Sequence, residues 1–240
     1  MSESTAGRIV ANRPGSGSDV GEMRQRILAH DWSTTPLQAI ADWSPALLTT
    51  VSIMSSNRLP MLLWWGMDYI CLYNDAYIPV LGDKHPKALG LPVRECWEEI
   101  WPVLQPLIDT PFQGGPATWE EDLELFLNRY GFQEETHWLV AYSPVPDSSV
   151  PSGIGGVLAT VHETTAEVLS KRRLAALHQL GAGFKQTVTV DEVCCSAIKI
   201  LEDFSKDLPF VLLYLKEPDL PFVRLAGTAG MDPLGGGGNS

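Results

Sequence analysis

The sequence has little positive charge and no apolar run long enough for a membrane span. Lys and Arg number 17 against 29 Asp and Glu, which gives a formal net charge of −12. A phosphate backbone or an anionic lipid surface repels such a chain, so we predict neither nucleic acid nor membrane as a partner. The longest apolar run, "LPMLLWWGM" at 59–67, is far shorter than the roughly 20 residues that cross a bilayer.

Cysteine is scarce and lacks the spacing of a metal site. Among Cys71, Cys96, Cys194 and Cys195 there is no Cys-x-x-Cys motif, so we predict no structural zinc. The adjacent pair would point about 100° apart on a helix, which favours packing over shared ligation. Residues 1–30 lack the apolar core of a signal peptide and predict a disordered arm. We therefore expect a cytoplasmic protein with reduced thiols.

The middle of the chain carries the patterns of five strands. "LPMLLWW" and "YICLY", separated by "GMD", predict a hairpin. Alternating apolar residues around Leu125 and around Val140 predict two more strands, and "IGGVLATVH" predicts a fifth. Helical stretches lie between the second and third strands, so we predict an α+β fold with a five-stranded antiparallel sheet and helices on one face. No Gly-rich phosphate loop follows any strand, which excludes a nucleotide-binding α/β unit.

Helical patterns flank the predicted sheet domain, which we place at 57–163. Residues 31–56 predict an N-terminal helical segment, with caps at 33–35 and Pro36 in a first turn. Residues 164–185 predict a long connecting helix with one apolar face. In 186–240, a helix and two strands precede a Gly-rich tail, which predicts the beginning of a second, incomplete α+β domain.

Several phrases in order resemble one family. "PMLLWWGMDYICLYNDAY", "KHPKALG", "ECWEEIWPVL", "YSPV" and "GGVLATVHETT" are similar to PAS sensor domains found at the front of sensor histidine kinases, over about 31–165. The resemblance implies a PAS fold, a role in signal transduction and a two-component kinase as the downstream partner. Residues 187–230 resemble the start of a GAF domain. The sequence has no histidine box of the "SHELRTP" kind and no ATP lid, so we expect no kinase activity from this chain.

Aromatic residues are the candidates for a ligand pocket. Large flat rings can line a pocket or fill a core, and both interpretations stay open. We predict no bound cofactor, with haem and flavin left as alternatives. The candidate pocket residues are Trp65, Trp97, Trp101, Trp119 and Trp138.

Four single residues invite a chemical role and are better explained structurally. His85 could ligate haem, but a loop histidine bonded to backbone is favoured, and Asp75 is favoured as a helix cap over a general base. His178 lies on a helix as a phosphoacceptor would, without the residues that follow one. Cys96 lacks the sequence context of the reactive cysteine in flavin-binding light sensors.

The connecting helix suggests how a signal leaves the domain. The phrase "HETT" resembles the exit of PAS domains, where Glu163, Thr164 and Thr165 would cap the outgoing helix. One helical face predicts the seam of a homodimer. The predicted seam residues are Leu169, Leu177, Leu180 and Phe184. A sensor and interaction module is therefore our expectation, and the alternative is a fragment of a sensor kinase that is an enzyme at full length.

Overall fold

The structure is a computed structural model, and it describes residues 21–183, 189–216 and 221–231. The chain divides into two compact units, one ending at Glu163 and one beginning at Thr164. The helices are α1 Glu22–Ala29, α2 Pro45–Ser56, α3 Ile78–Leu81, α4 Val93–Cys96, α5 Trp101–Phe112, α6 Thr165–Gly183 and α7 Val190–Glu202. The strands are β1 Met61–Trp65, β2 Ile70–Tyr73, β3 Thr118–Asn128, β4 Gln133–Pro146, β5 Ile154–Glu163, β6 Val211–Lys216 and β7 Val223–Ala229.

The first unit is built on one antiparallel sheet in the order β2-β1-β5-β4-β3. The first and last strands of the sequence pattern thus meet at the centre, where Trp64 of β1 lies opposite Val157 of β5. Val140 of β4 lies opposite Val161 of β5, so their side chains share one face. The helices α3, α4 and α5 lie between β2 and β3 in the chain. This arrangement confirms the predicted α+β class and the PAS fold.

The predicted disordered arm is wrong for its last residues, because Glu22–Ala29 form α1. Met23 and Ile27 are four residues apart and fully buried in the core of the first unit. Asp75 accepts a hydrogen bond from the backbone N–H of Met23 at 3.0 Å and so caps α1 from 52 positions away. Tertiary contacts that bury its two apolar residues therefore stabilise this helix in an otherwise polar stretch. Residues 1–20 lie outside the described part of the chain.

The helix predicted to start near Pro36 starts instead at Pro45. The Ser44 side chain accepts from the N–H of Leu47 at 3.1 Å, and Pro45 occupies the first turn, where its missing N–H costs nothing. Ser44 also donates to a carboxylate oxygen of Asp147 at 2.6 Å. Residues 32–34 form only a short 3-10 turn. The cap thus ties the N-terminal segment to the loop between β4 and β5.

Asn74 is fully buried and joins β1 to the end of α2. Its side-chain oxygen accepts from the N–H of Met61 at 3.0 Å. Its amide group donates to the carbonyls of Met54, Asn57 and Leu59 at 2.8 to 3.2 Å. One amide therefore satisfies four backbone groups at the entry to β1, whose five residues are all buried.

The second unit contains α6, α7 and the hairpin of β6 and β7. Thr189 and Glu192 form a reciprocal capping box at the start of α7. The two helices approach closely, since a Cβ on Gly183 would lie 2.5 Å from the Ile200 side chain. The helix and two strands occur where the sequence predicts them, and their assignment to a GAF domain stays a prediction. The predicted Gly-rich tail beyond Met231 lies outside the described residues.

Within the described part of the chain, no helix is both long and apolar enough to cross a membrane.

Candidate functional site

A small cavity lies in the core of the first unit, enclosed by β1, β3, β4 and β5 on one side and by α3 and α5 on the other. Its volume is about 30 Å³. Such a space holds about two water molecules, whereas a site for a drug-sized ligand typically measures about 300–1,000 Å³. The lining is almost entirely apolar and aromatic. Its residues are Trp64, Tyr77, Val80, Trp97, Ile100, Leu104, Leu125, Leu127, Trp138, Val140, Tyr142 and Val161.

Two of the five candidate tryptophans, Trp97 and Trp138, line the cavity. Trp65 lies on the opposite face of β1 and packs against the backbone of β5, where a Cβ on Gly155 would be 2.5 Å from its ring. Trp101 lies beneath the guanidinium of Arg94 at 5.2 Å.

Trp119 is 60% exposed on the edge strand β3 and lines no part of the cavity. Trp64, which was not among the candidates, does line it. The signal was present in the sequence, because Trp64 and Trp65 are neighbours on one strand and must point to opposite faces. Pairing β1 with β5 was needed to decide which of the two points inward.

The walls of the cavity carry a few polar groups among the aromatic rings. Burial raises the pKa values of Tyr77 and Tyr142 above the ordinary tyrosine value, so both hydroxyls keep their protons. The indole N–H of Trp64 is buried and has no hydrogen-bond partner in the described structure. The cavity therefore offers hydrogen-bond donors in an apolar setting, which suits a small neutral molecule with an acceptor atom or an ordered water.

A buried arginine lies at the end of the sheet from which the chain leaves. Arg129, which sequence reasoning missed, is 8% exposed. Its guanidinium donates to both carboxylate oxygens of Glu163, at 2.9 and 3.2 Å, and to Glu134 at 3.0 Å. Burial alone lowers the pKa of Arg129, but the hydrogen bonds with these two carboxylates outweigh it and raise the pKa. We call Arg129, Glu134 and Glu163 the arginine clamp.

The arginine clamp touches the cavity through one tryptophan. The guanidinium carbon of Arg129 lies 5.9 Å from the centre of the Trp138 ring, within cation–π range. Trp138 is also the residue opposite Glu163 in the β4–β5 register. Its indole N–H donates to Thr136 at 2.7 Å, which fixes the ring. A cavity wall, the buried cation and the last residue of β5 are thus in direct contact.

The residues of the predicted signal junction make only some of the contacts expected of them. Glu163 serves as the acid of the arginine clamp. The hydroxyl oxygen of Thr164 is buried without a hydrogen-bond partner among the described residues, so the cap predicted for it is wrong. Thr165 begins α6. The clamp escaped prediction because Arg129 and Glu163 are 34 positions apart in the sequence.

The predicted dimer seam residues on α6 differ in their exposure to solvent. Leu177 is 66% exposed, and Leu174, which was not predicted, is 68% exposed. Leu169 and Leu180 are half-buried. Phe184 lies outside the described residues.

His85 and Asp75 both serve the packing of α1. His85 has its Nδ1 atom 3.0 Å from the Tyr73 hydroxyl and its Nε2 atom 3.3 Å from Glu22. The predicted hydrogen bond from His85 to a backbone carbonyl is therefore wrong, because its ring nitrogens face two side chains. The predicted structural role of His85 agrees with these contacts. Because both ring nitrogens are engaged, the arrangement does not suit a haem ligand. Asp75 caps a helix as expected, but that helix is α1 and not the one that starts at Asp75.

The remaining candidates lie apart from the cavity or are buried in the core. Cys96 is 5% exposed and adjoins Cys71, whose pKa is raised well above the ordinary value by burial and then by hydrogen bonding with the Cys96 thiol. His178 is exposed on α6. On α7, Cys194 is buried and Cys195 is exposed, as expected for residues about 100° apart.

No protein-family model matches this sequence, and no curated protein matches it. Among solved structures, the PAS domain of Bordetella pertussis BvgS is 17% identical, covers 55% of this chain and 96% of its own, and has a TM-score of 0.36. A Rhodobacter sphaeroides LOV protein is 16% identical over 66% and 91%, with a TM-score of 0.37. A sensory box sensor histidine kinase from Vibrio cholerae is 15% identical over 49% and 90%, with a TM-score of 0.35. All three TM-scores are below 0.5, and these likenesses carry no inference about ligand, activity or partner.

Proposed function

We propose that this chain is a PAS sensor and interaction module that relays the state of its core cavity to α6. The resemblance of its sequence phrases to the input regions of two-component sensor histidine kinases supports the class of protein. The contact from cavity wall to Trp138, to Arg129 and to Glu163 supports the relay. That contact is the observation on which the proposal rests.

The physical basis of the relay is the sensitivity of a buried charge cluster to its surroundings. A molecule that enters the cavity displaces the Trp138 ring or restrains it, and the Arg129 guanidinium packs on that ring. The Arg129 side chain is buried and its carboxylate partners are partly exposed, so a small shift of the guanidinium changes its pairing with Glu163. Glu163 is the last residue before Thr164 and α6, so the change is passed directly to the outgoing chain.

The relay predicts a response of α6 to a change made only in the cavity. Val140→Ile adds one methylene group to the cavity lining and should slow hydrogen exchange in β4 and in the first turns of α6. In a Glu163→Gln background the slowing in α6 should disappear while that in β4 persists. Val103→Ile, at a position 44% exposed on α5, is the matched control and should change neither. An α6 response that survives Glu163→Gln would contradict the relay.

The ligand proposed for this cavity is a small neutral molecule rather than haem or flavin. A cavity of about 30 Å³ does not fit either ring system, and His85 and Cys96 are both committed to other contacts. A native mass spectrum and an absorbance spectrum of the purified chain test this point. Absorbance in the visible range with a matching mass increment would overturn it and support the cofactor-bound alternative.

We also propose that this chain acts in the cytoplasm without kinase activity of its own, upstream of a kinase partner. Incubation with radiolabelled ATP should leave the chain unlabelled. Label on His178, which is exposed on α6, would instead support the alternative of an enzyme fragment.

A further inference from the structure

On the sheet face opposite the cavity, a histidine is surrounded by carboxylates from two strands. His137 of β4 alternates with Trp138, which lines the cavity, so the two side chains point to opposite faces. His137 is 5% exposed. Glu124 of β3 lies directly opposite it in the register, and Glu135 lies two residues before it on β4, hence on the same face.

The two nitrogens of the His137 ring face different carboxylates. The Nδ1 atom lies 2.7 Å from Asp122, where β3 is irregular, and the Nε2 atom lies 2.9 Å from Glu135. One ligand atom each from Glu124, Glu135 and His137 lies within 4.8 Å of the other two. Two ligands of a tetrahedral ion at about 2.1 Å are about 3.4 Å apart, so shifts of less than about 1 Å place the three atoms around one ion.

We propose that His137 Nε2, Glu135 and Glu124 form a site for a divalent transition-metal ion of the Zn²⁺ type, with Asp122 orienting the histidine. One imidazole and two carboxylates are a donor set that Zn²⁺ accepts, with water completing the coordination. A carboxylate on the far ring nitrogen of a ligating histidine is the usual means of fixing its orientation. Asp122 occupies that position, so the cluster contains an oriented histidine in addition to its carboxylates.

The charges of the site are consistent with a cation. Three carboxylates surround one imidazole, and carboxylates only accept hydrogen bonds. Nε2 gives its lone pair to the metal and releases to solvent any proton that it holds, while Nδ1–H keeps its bond to Asp122.

Titration of the full chain with ZnCl₂, followed by calorimetry in a non-chelating reducing buffer, tests the site. We expect one zinc ion per chain. Glu124→Gln should weaken binding at least about tenfold, and Asp122→Asn should weaken it about tenfold through loss of orientation. Glu120→Gln removes the same charge from an exposed position on the same strand and should leave the affinity unchanged.

The metal-free melting temperature separates loss of ligation from loss of folding. Glu124 is exposed and His137 is buried, so Glu124→Gln is a cleaner test than a His137 variant, and its metal-free melting temperature is measured beside that of the wild type. In addition, zinc should raise the melting temperature of the wild type and of Glu120→Gln equally, and that of Glu124→Gln by less. Equal zinc affinity in wild type and Glu124→Gln, or no binding at all, would overturn the proposal.

Discussion

Arg129 and Glu163 form a two-bonded ion pair at the residue where the chain leaves the sheet, with nitrogen–oxygen distances of 2.9 and 3.2 Å. The arginine follows β3 at the edge of the sheet, and the glutamate ends β5 at its centre. The pair therefore spans β4, whose Trp138 contacts the guanidinium from the cavity side. This geometry connects the interior of the first unit with its exit.

Arg129→Gln should destabilise the first unit because it leaves Glu134 and Glu163 without their cation. We expect a loss of about 2 kcal/mol, less than for a fully buried pair because Glu163 is one-third exposed. Urea unfolding followed by tryptophan fluorescence measures it. All eight tryptophans lie between positions 32 and 138, so this signal reports on the first unit alone.

Arg58→Gln is the matched control, since Arg58 is exposed and the same charge is removed. It should change the free energy of unfolding by less than about 0.5 kcal/mol. An equal loss in both variants would indicate a general effect of charge rather than the arginine clamp.

Gly82→Ala should displace the backbone of Arg129 and so disturb the arginine clamp. Gly82 has φ of +55°, and a Cβ there would lie 2.7 Å from the carbonyl oxygen of Arg129. That carbonyl also accepts from the N–H of Asp83, so the backbone cannot move away freely. We expect a loss of about 3 kcal/mol, against about 1 kcal/mol for Gly131→Ala, which has positive φ but open space around it. Similar losses in the same fluorescence assay would show that backbone conformation alone matters.

Local sequence patterns were sufficient to predict the strands but not the arginine clamp. The alternation of Trp138, Val140 and Tyr142 with less buried residues predicted β4 correctly, because one face of that strand packs in the core. Arg129 lies within "NRYGFQEE" at 128–135, a turn-prone stretch that shows no periodicity. Its role depends on strands paired across the sheet, which an isolated sequence does not specify.

The errors at the N-terminus have the same origin. Glu22–Ala29 has a polar composition typical of a disordered arm, but Asp75 caps the helix and the core buries Met23. Likewise, Ser44 and not the group at 33–35 caps the long helix, since Asp147 holds Ser44 in place. Both partners come from distant loops. Propensity could not choose between competing caps without them.

Asp147 should make the stability of the first unit depend on acid pH. Burial alone raises its pKa, but hydrogen bonds from Ser44 and from the hydroxyl and N–H of Ser149 outweigh it and lower the pKa. A carboxyl whose pKa is lower in the folded state stabilises the protein at pH values above its unfolded pKa of about 3.9. It loses this contribution as the pH falls through the folded pKa.

Asp147→Asn should therefore be less stable than wild type at neutral pH, with the difference shrinking as the pH falls below about 4. Urea midpoints from tryptophan fluorescence at several pH values measure this. Asp42→Asn, an exposed change of the same charge, is the control and should show no such convergence. A difference between Asp147→Asn and wild type that is constant with pH would contradict the assignment.

The exposed face of α6 predicts a parallel homodimer with a dissociation constant near micromolar. Leu174 and Leu177 are each about two-thirds exposed within one chain, and association would remove them from water. Leu177→Glu should place like charges across the seam and yield a monomer with an intact first unit. Ala175→Glu adds the same charge about 160° around the helix and should leave the dimer intact. Sedimentation velocity at about 100 micromolar, well above the expected constant, distinguishes the species. A monomeric wild type at that concentration would exclude α6 as a dimer seam and leave the relay to act within one chain.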